Sequence, residues 1–254
     1  MSTQTAHPTA EPTTPETESG HALSLHNVTF GYDASSPVLK HIHLTLDRGL
    51  ILLLGPNGHG KSTLLKLLAG VERPDQGHVT VGGHDMWQDE EAARRLLAYV
   101  PEHPDITPYA SVRDVLELTA WLREGTLDRV EEVLKQVGLN DTLAKRSIRR
   151  LSKGQRRRAM LAAAFLGRPP VLLMDEPLDA LDRNLRNNLC ERLKKRVDDG
   201  GLVIVVTHEI EPFAPWAGAA VGMSHGQATA IRDLPDDIDA RNQIFEKLAR
   251  GEDL

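Results

Sequence analysis

Gly55-Pro56-Asn57-Gly58-His59-Gly60-Lys61-Ser62-Thr63 is the stretch on which the fold turns. Ahead of it, residues 50–54 form a short apolar run with the length of a buried strand. Behind it, Thr63-Leu64-Leu65-Lys66-Leu67-Leu68-Ala69 reads as a helix closed by Gly70. Strand, glycine loop and helix in that order turn a G-x-x-x-x-G-K-[ST] spacing into a phosphate-binding loop. The glycines let the backbone curl so that successive N–H groups point at phosphate oxygens, and the helix N-terminus adds its positive dipole end. Lys61 is placed to reach the β- and γ-phosphates and the Ser62 hydroxyl to sit on Mg²⁺. The spacing therefore predicts a nucleoside triphosphate site in an α/β fold.

A chain of 254 residues holds one large α/β domain or two small ones. No apolar stretch approaches the ~18 residues that span a bilayer, so a membrane role is expected to come through a partner. A net charge of −6 argues against a nucleic-acid surface, which usually carries a basic excess. The single cysteine, Cys190, has no partner within the chain and suits a reducing cytosol. Residues 1–20 are rich in Thr, Pro and Glu with almost nothing to bury, and are expected to be a disordered tail.

Further along, residues 22–30 and 41–46 alternate as half-exposed strands, and Tyr32 stands at the turn between them. There an aromatic face can stack on a base or simply belong to the core. A short helix is expected over residues 90–97, before Pro101-Glu102. Ser111-x-x-Asp114 opens a helix with a capping-box pattern that Gly125 ends. Leu127, Val130, Val133, Leu134 and Val137 mark the apolar face of the next helix, stopped by Gly138. Residues 101–160 thus read as a helical insertion between core segments 21–100 and 161–254. The turn Ser152-Lys153-Gly154-Gln155 precedes a helix over residues 159–166 and offers a second anion-binding helix start. Two such starts in one chain predict that two copies close around shared nucleotides.

Residues 171–174 are a buried-strand run ending in Asp175-Glu176. In a chain with a phosphate loop, Asp175 can complete the Mg²⁺ shell begun by Ser62. Glu176 is placed to orient or deprotonate an attacking water. His208 ends another apolar strand, residues 202–206, where it can reach the γ-phosphate or serve as a cap. His41 and His43 share a strand face without a third ligand and are read as surface residues. The basic run Lys145, Arg146, Arg149, Arg150, Lys153, Arg156, Arg157 and Arg158 has few interleaved aromatics. It reads as a solvated helix face, and no nucleic-acid partner is expected.

From residue 22 to about 226 these motifs, in this order, resemble an ATP-binding-cassette (ABC) ATPase. The resemblance implies a P-loop NTPase (RecA-like) core with an antiparallel β edge subdomain and an inserted helical subdomain. It implies ATP and Mg²⁺ as ligands, Tyr32 stacking on adenine, and residues 55–63 as the Walker A loop. Ser152, Gly154 and Gln155 become signature residues contacting nucleotide, Asp175 and Glu176 the Walker B aspartate and catalytic glutamate. Asp182 falls in the D-loop at a dimer interface and His208 is the switch histidine. The partners implied are a second cassette and integral-membrane permease subunits, with the chain in the cytoplasm at the inner face of the membrane. A soluble ATPase of repair, translation or iron–sulfur assembly is the alternative.

Two positions depart from the family pattern. Lys153 replaces a signature glycine, and Glu102 stands where a glutamine normally contacts Mg²⁺. The Lys-containing signature and Pro101-Glu102 resemble exporter-type bacterial ATPases of the EcsA-like group more than importers.

Overall fold

The computed structural model describes residues 22–252 except 34, 104–106 and 124–126, so the tail at 1–20 and Gly125 lie outside the described residues. The described residues begin with strands β1 (Leu23–Phe30), β2 (Leu39–Leu46) and β3 (Gly49–Leu54), then helix α1 (Lys61–Leu68). Strands β4 (Gln76–Val81) and β5 (His84–Asp85), helix α2 (Glu90–Arg95) and strand β6 (Leu97–Val100) follow. Next come helices α3 (Val112–Leu122), α4 (Val130–Gln136), α5 (Asp141–Ala144) and α6 (Lys153–Leu166). The chain then returns to strand β7 (Val171–Asp175), helix α7 (Arg183–Asp198), strands β8 (Leu202–Val206), β9 (Ala219–Ser224) and β10 (Gln227–Ile231), and helix α8 (Ile238–Arg250).

Two sheets result. One is antiparallel in the order β2-β1-β4-β5; the other runs β10-β9-β3-β8-β7-β6. In the second, every pairing from β9 to β6 is parallel and only β10 runs antiparallel, against β9. Parallel strands covered on both faces read as unbroken apolar runs, and β3, β7 and β8 are buried almost throughout. Their two-residue alternation splits them between two cores. Leu50, Leu52 and Leu54 of β3 face a core shared with α3, α4, α6, α7 and α8, with Leu172, Met174, Val203 and Val205 beside them. Ile51 and Leu53 face the other way, into a core shared with α1 and the antiparallel sheet. The architecture is thus the α/β P-loop fold with an antiparallel edge sheet and a run of helices between β6 and β7.

Three boundaries differ from the sequence reading. The helix expected over residues 90–97 stops at Arg95, because Leu97 opens β6 and pairs with Val171. Strand pairing of buried Leu97, Ala98 and Val100 outweighs local helix preference there. The helix expected from residue 159 starts at Lys153, capped by Ser152. The helix expected from Leu127 begins as a 3₁₀ turn, Leu127–Arg129. The capping box at Ser111 and Asp114 forms as read.

Candidate active site

Strand order alone gathers the predicted residues. β3, β8, β7 and β6 lie side by side and parallel, so their carboxyl ends share one edge, where ligands of open α/β sheets bind. Beyond β3 lie Gly55 to Ser62; beyond β8, Thr207 and His208. Asp175 closes β7, with Glu176 next, and Pro101-Glu102 follow β6.

The glycine loop is built from backbone that side chains resist. Gly55, Gly58 and Gly60 have φ of 150°, 80° and 96°. A Cβ on Gly55 would also stand 2.4 Å from the Met223 carbonyl oxygen. Gly60 is the N-cap of α1 and offers no side-chain cap, so the first-turn N–H groups face outward from the helix end. Lys61 is buried, with its Nζ donating to the carbonyls of Gly55 (2.7 Å) and Pro56 (3.0 Å). Burial pulls its pKa down, and the charges of Asp175 and Glu176 oppose that shift. Asn57 is exposed and Thr63 buried. His59 packs its ring 5.2 Å from that of His225.

Asp175 is 4% exposed and hydrogen-bonded to the Ser62 hydroxyl. Burial pushes its carboxyl up and the Glu102 charge adds to that, while Ser62, Arg157 and Lys61 pull it down. A buried carboxylate beside a hydroxyl, with a second carboxylate near enough to be felt, is an oxygen set suited to Mg²⁺. That ion takes one or two carboxylates and fills its shell with phosphate and water. Among the described residues no group of three or more His, Cys, Asp or Glu side chains could hold a metal unaided.

Glu176 has left-handed backbone, φ 48°, and its N–H is bonded to the Val206 carbonyl at 2.8 Å. Its carboxylate accepts from the Thr207 hydroxyl (3.1 Å) and from the backbone N–H of His208 (3.0 Å). The His208 imidazole Nε2 lies 3.6 Å from the same carboxylate. Burial raises the Glu176 pKa, against the pull of His208 and Thr207. Thr207 was missed in the sequence. Only its position before His208 at a strand end hints at its use.

The remaining predicted residues lie around this centre. Tyr32 is 60% exposed, its ring edge against Phe30 and its face under Lys66 Nζ at 5.8 Å. Glu102 lines a groove of about 430 Å³ with His103, Arg149, Lys153, Arg156 and Arg157. Ser152, Gly154 and Gln155 meet one another and the Asp179–Ala180 turn, not the glycine loop. The Ser152 hydroxyl accepts from the Gln155 N–H and the Gln155 side chain accepts from the Ser152 N–H, a closed capping box. A Cβ on Gly154 would lie 2.5 Å from the Ala180 carbonyl oxygen. Lys153 pairs with Asp179 at 2.7 Å. The Asp182 side chain caps α7, accepting from the Leu185 N–H.

The profile of the family described as ABC transporter matches residues 39–179, more than half the chain. The chain belongs to the ABC transporter family. It is 39% identical over 203 residues to the sulfate/thiosulfate import ATP-binding protein CysA of Synechococcus elongatus, covering 78% of this chain and 58% of that one. It is 35% identical to the spermidine/putrescine import ATP-binding protein PotA of Marinobacter nauticus, covering 89% of this chain and 60% of the relative. The chain therefore spans less than two thirds of the length of these curated relatives. Among solved structures, the ATP-binding subunit of an ABC transporter superimposes with a TM-score of 0.79 at 25% identity, over 90% of this chain and all of the other. A dimeric ATP-binding cassette, MJ0796, in a post-hydrolysis state with ADP and Pi, gives 0.73 at 27% identity, over 84% and 100%.

Both of these sequence relatives of the ABC chain are import proteins, whereas Lys153 and Pro101-Glu102 had pointed to exporters. Overall similarity does not follow those two positions. Arg157 corrects another expectation. It is 4% exposed, not part of a solvated basic face, and its two terminal nitrogens donate to the carbonyls of Pro101 and Glu176. No helix among the described residues is long and apolar enough to cross a membrane.

Proposed function

We propose that this chain binds and hydrolyses ATP with Mg²⁺ as the cytoplasmic ATPase subunit of a membrane transporter. Two cassettes close head to tail around nucleotide, at the inner face of the membrane, and drive separate permease subunits. The observation that carries this reading is the meeting of Lys61 and Ser62, Asp175 and Glu176, and Thr207 and His208 at the ends of three adjacent parallel strands.

Each residue then has a task its surroundings support. Tyr32 presents an exposed ring on which adenine stacks. The loop from Gly55 to Thr63 (Pro56, Asn57, Gly58, His59 and Gly60 included) wraps the phosphates in backbone N–H groups, and the Lys61 ammonium neutralises their β and γ charge. Bound Mg²⁺ would neutralise and orient the phosphates, held by Ser62 and Asp175 with Glu102 as a further oxygen donor. Glu176 takes the proton of the attacking water. Its carboxylate is aimed by Thr207 and the His208 N–H, and burial raises its basicity, as a general base requires. His208 contacts the γ-phosphate. Ser152, Gly154 and Gln155 of one copy face the nucleotide held by Lys61 of the other, and Asp182 lies near that interface. Segment 101–160, inserted in core 21–100 and 161–254, is where a permease would dock.

Phosphate release from MgATP tests this reading. Glu176→Gln should lower turnover by roughly 10²- to 10⁴-fold while MgATP still binds, and should trap a dimer on MgATP. Equal turnover in variant and wild type, or a variant that stays monomeric with its co-purified membrane subunit, would sink it.

A further inference from the structure

Three ionisable side chains are buried among the described residues: Lys61, Asp175 and Arg157. The first two serve phosphate and metal in the function proposed above. The third has no such task, yet a buried guanidinium persists only where its donors and charge are met. Arg157 sits on α6, two residues past Gln155, and its planar fork closes on two carbonyls. Nη1 donates to Pro101 and Nη2 to Glu176, each at 2.8 Å. Those carbonyls stand at the ends of neighbouring strands, just past Val100 and Met174, partners in the β6–β7 ladder, and Asp175. Arg157 thus adds a rung where the strands themselves stop pairing.

The two residues it ties are not neutral choices. Pro101 is the junction from β6 to Glu102 and the helical segment. Glu176 has left-handed backbone, anchored on its N–H side to β8 and on its carboxylate side to Thr207 and His208. Its carbonyl accepts the Asp179 N–H at 3.1 Å within the following turn and, from helix α6, the Arg157 guanidinium. Burial lowers the Arg157 pKa, while Asp179, Asp175, Glu102 and Glu176 oppose it, so four carboxylates are felt at this one cation.

We infer that Arg157 is a positioning residue for hydrolysis, registering the signature helix α6 against the backbone of Glu176 and the junction at Pro101. The Glu176 carboxylate is then in place only while α6 is seated against the ends of β6 and β7. Movement of the helical segment reaches the reacting water through this fork, without a residue that touches nucleotide. The inference rests on the ATPase reading and deepens it.

The test compares the full-length chain with Arg157→Lys and Arg157→Gln. Lysine keeps the charge but is a point donor that cannot replace a planar fork. Both variants should lose turnover by roughly 10- to 100-fold, the scale of a misplaced catalytic group. The KM for MgATP should stay within about threefold, as when only a transition-state interaction is lost. In a Glu176→Gln background, adding Arg157→Lys should cost less than about threefold more, because residues acting as one unit are not additive. Unchanged turnover, a rise in KM alone, or losses that multiply would overturn the inference. So would loss of the folded state in both variants, which would assign Arg157 to the scaffold. A wild-type chain that releases no phosphate would instead refute the ATPase reading itself.

Discussion

Helices α1 and α6 begin alike in sequence and opposite in physics. Each carries a lysine as its first helical residue, Lys61 and Lys153, where a positive charge meets the positive end of the helix dipole. At α1 the cap is Gly60, no side chain closes the helix end, and the Lys61 ammonium rests on two carbonyls. At α6 the cap is Ser152, Gln155 closes the box from the far side, and Lys153 is paired with the Asp179 carboxylate. The first end keeps its donors and its charge available; the second satisfies both within the chain. This difference divides the labour of the proposed dimer. In that proposal an anion would complete α1, whereas reaching α6 would mean competing with bonds the cassette already makes.

The largest effect is expected where that availability is removed. Lys61→Ala should weaken MgATP binding by about 2–5 kcal/mol, roughly 30- to 5,000-fold, as for truncating one partner of a buried charge pair. Titration of nucleotide against both proteins measures it. Denaturant unfolding separates this from any cost to the fold, since the ammonium also bonds to the buried Gly55 carbonyl and to that of Pro56. Equal affinity would mean that α1 is not the nucleotide end.

An intermediate effect is expected from opening the other end. Ser152→Ala removes the hydroxyl that meets the Gln155 N–H and should cost about 0.5–2 kcal/mol of stability. For a chain of this size each kcal/mol lowers the melting temperature by about 2–4 °C. Ser62→Ala makes the control, since the Ser62 hydroxyl caps nothing and bonds to Asp175. If the two substitutions cost the same, the contrast between closed and open helix starts fails.

How much of this was legible follows from the range of each interaction. The glycine loop, β7 and β8 were readable because a strand, a turn and a helix follow one another within a few residues, and because strands buried on both faces are uniformly apolar. Asp175, Glu176 and His208 inherited their place from those strands. Thr207 was passed over because its bond to Glu176 joins residues 31 apart in the chain. Arg157 was misjudged because it stands among the seven other Arg and Lys residues of the basic run, and only the distant carbonyls of Pro101 and Glu176 explain its burial. The α6 cap is different. Ser152-x-x-Gln155 was read only as an anion-binding helix start, but the same residues close a capping box, and the local pattern does not say which state prevails. Leu97 was drawn into a helix because its pairing with Val171 lies 74 positions away.

The smallest effect concerns Lys153 itself. Its ion pair with Asp179 is largely solvent-exposed, 62% and 36% for the two side chains, so it is worth about 0.2–1 kcal/mol. The lysine's hydrogen bond holds the Asp179 carboxyl below its ordinary 3.8. A carboxyl whose pKa falls on folding stabilises the protein at pH above its unfolded value, and that contribution drains away as pH drops through the folded value. Asp179→Asn should therefore destabilise the chain at neutral pH and flatten its stability profile below about pH 4. Lys153→Met should cost less than Asp179→Asn, because it also removes a cation from the positive end of α6. Denaturant unfolding of both variants and their double mutant at pH 7 and pH 3 measures this order. If Lys153→Met proved the costlier change, the lysine would be supporting α6 rather than being restrained there, and the two helix starts would be more alike than their caps suggest.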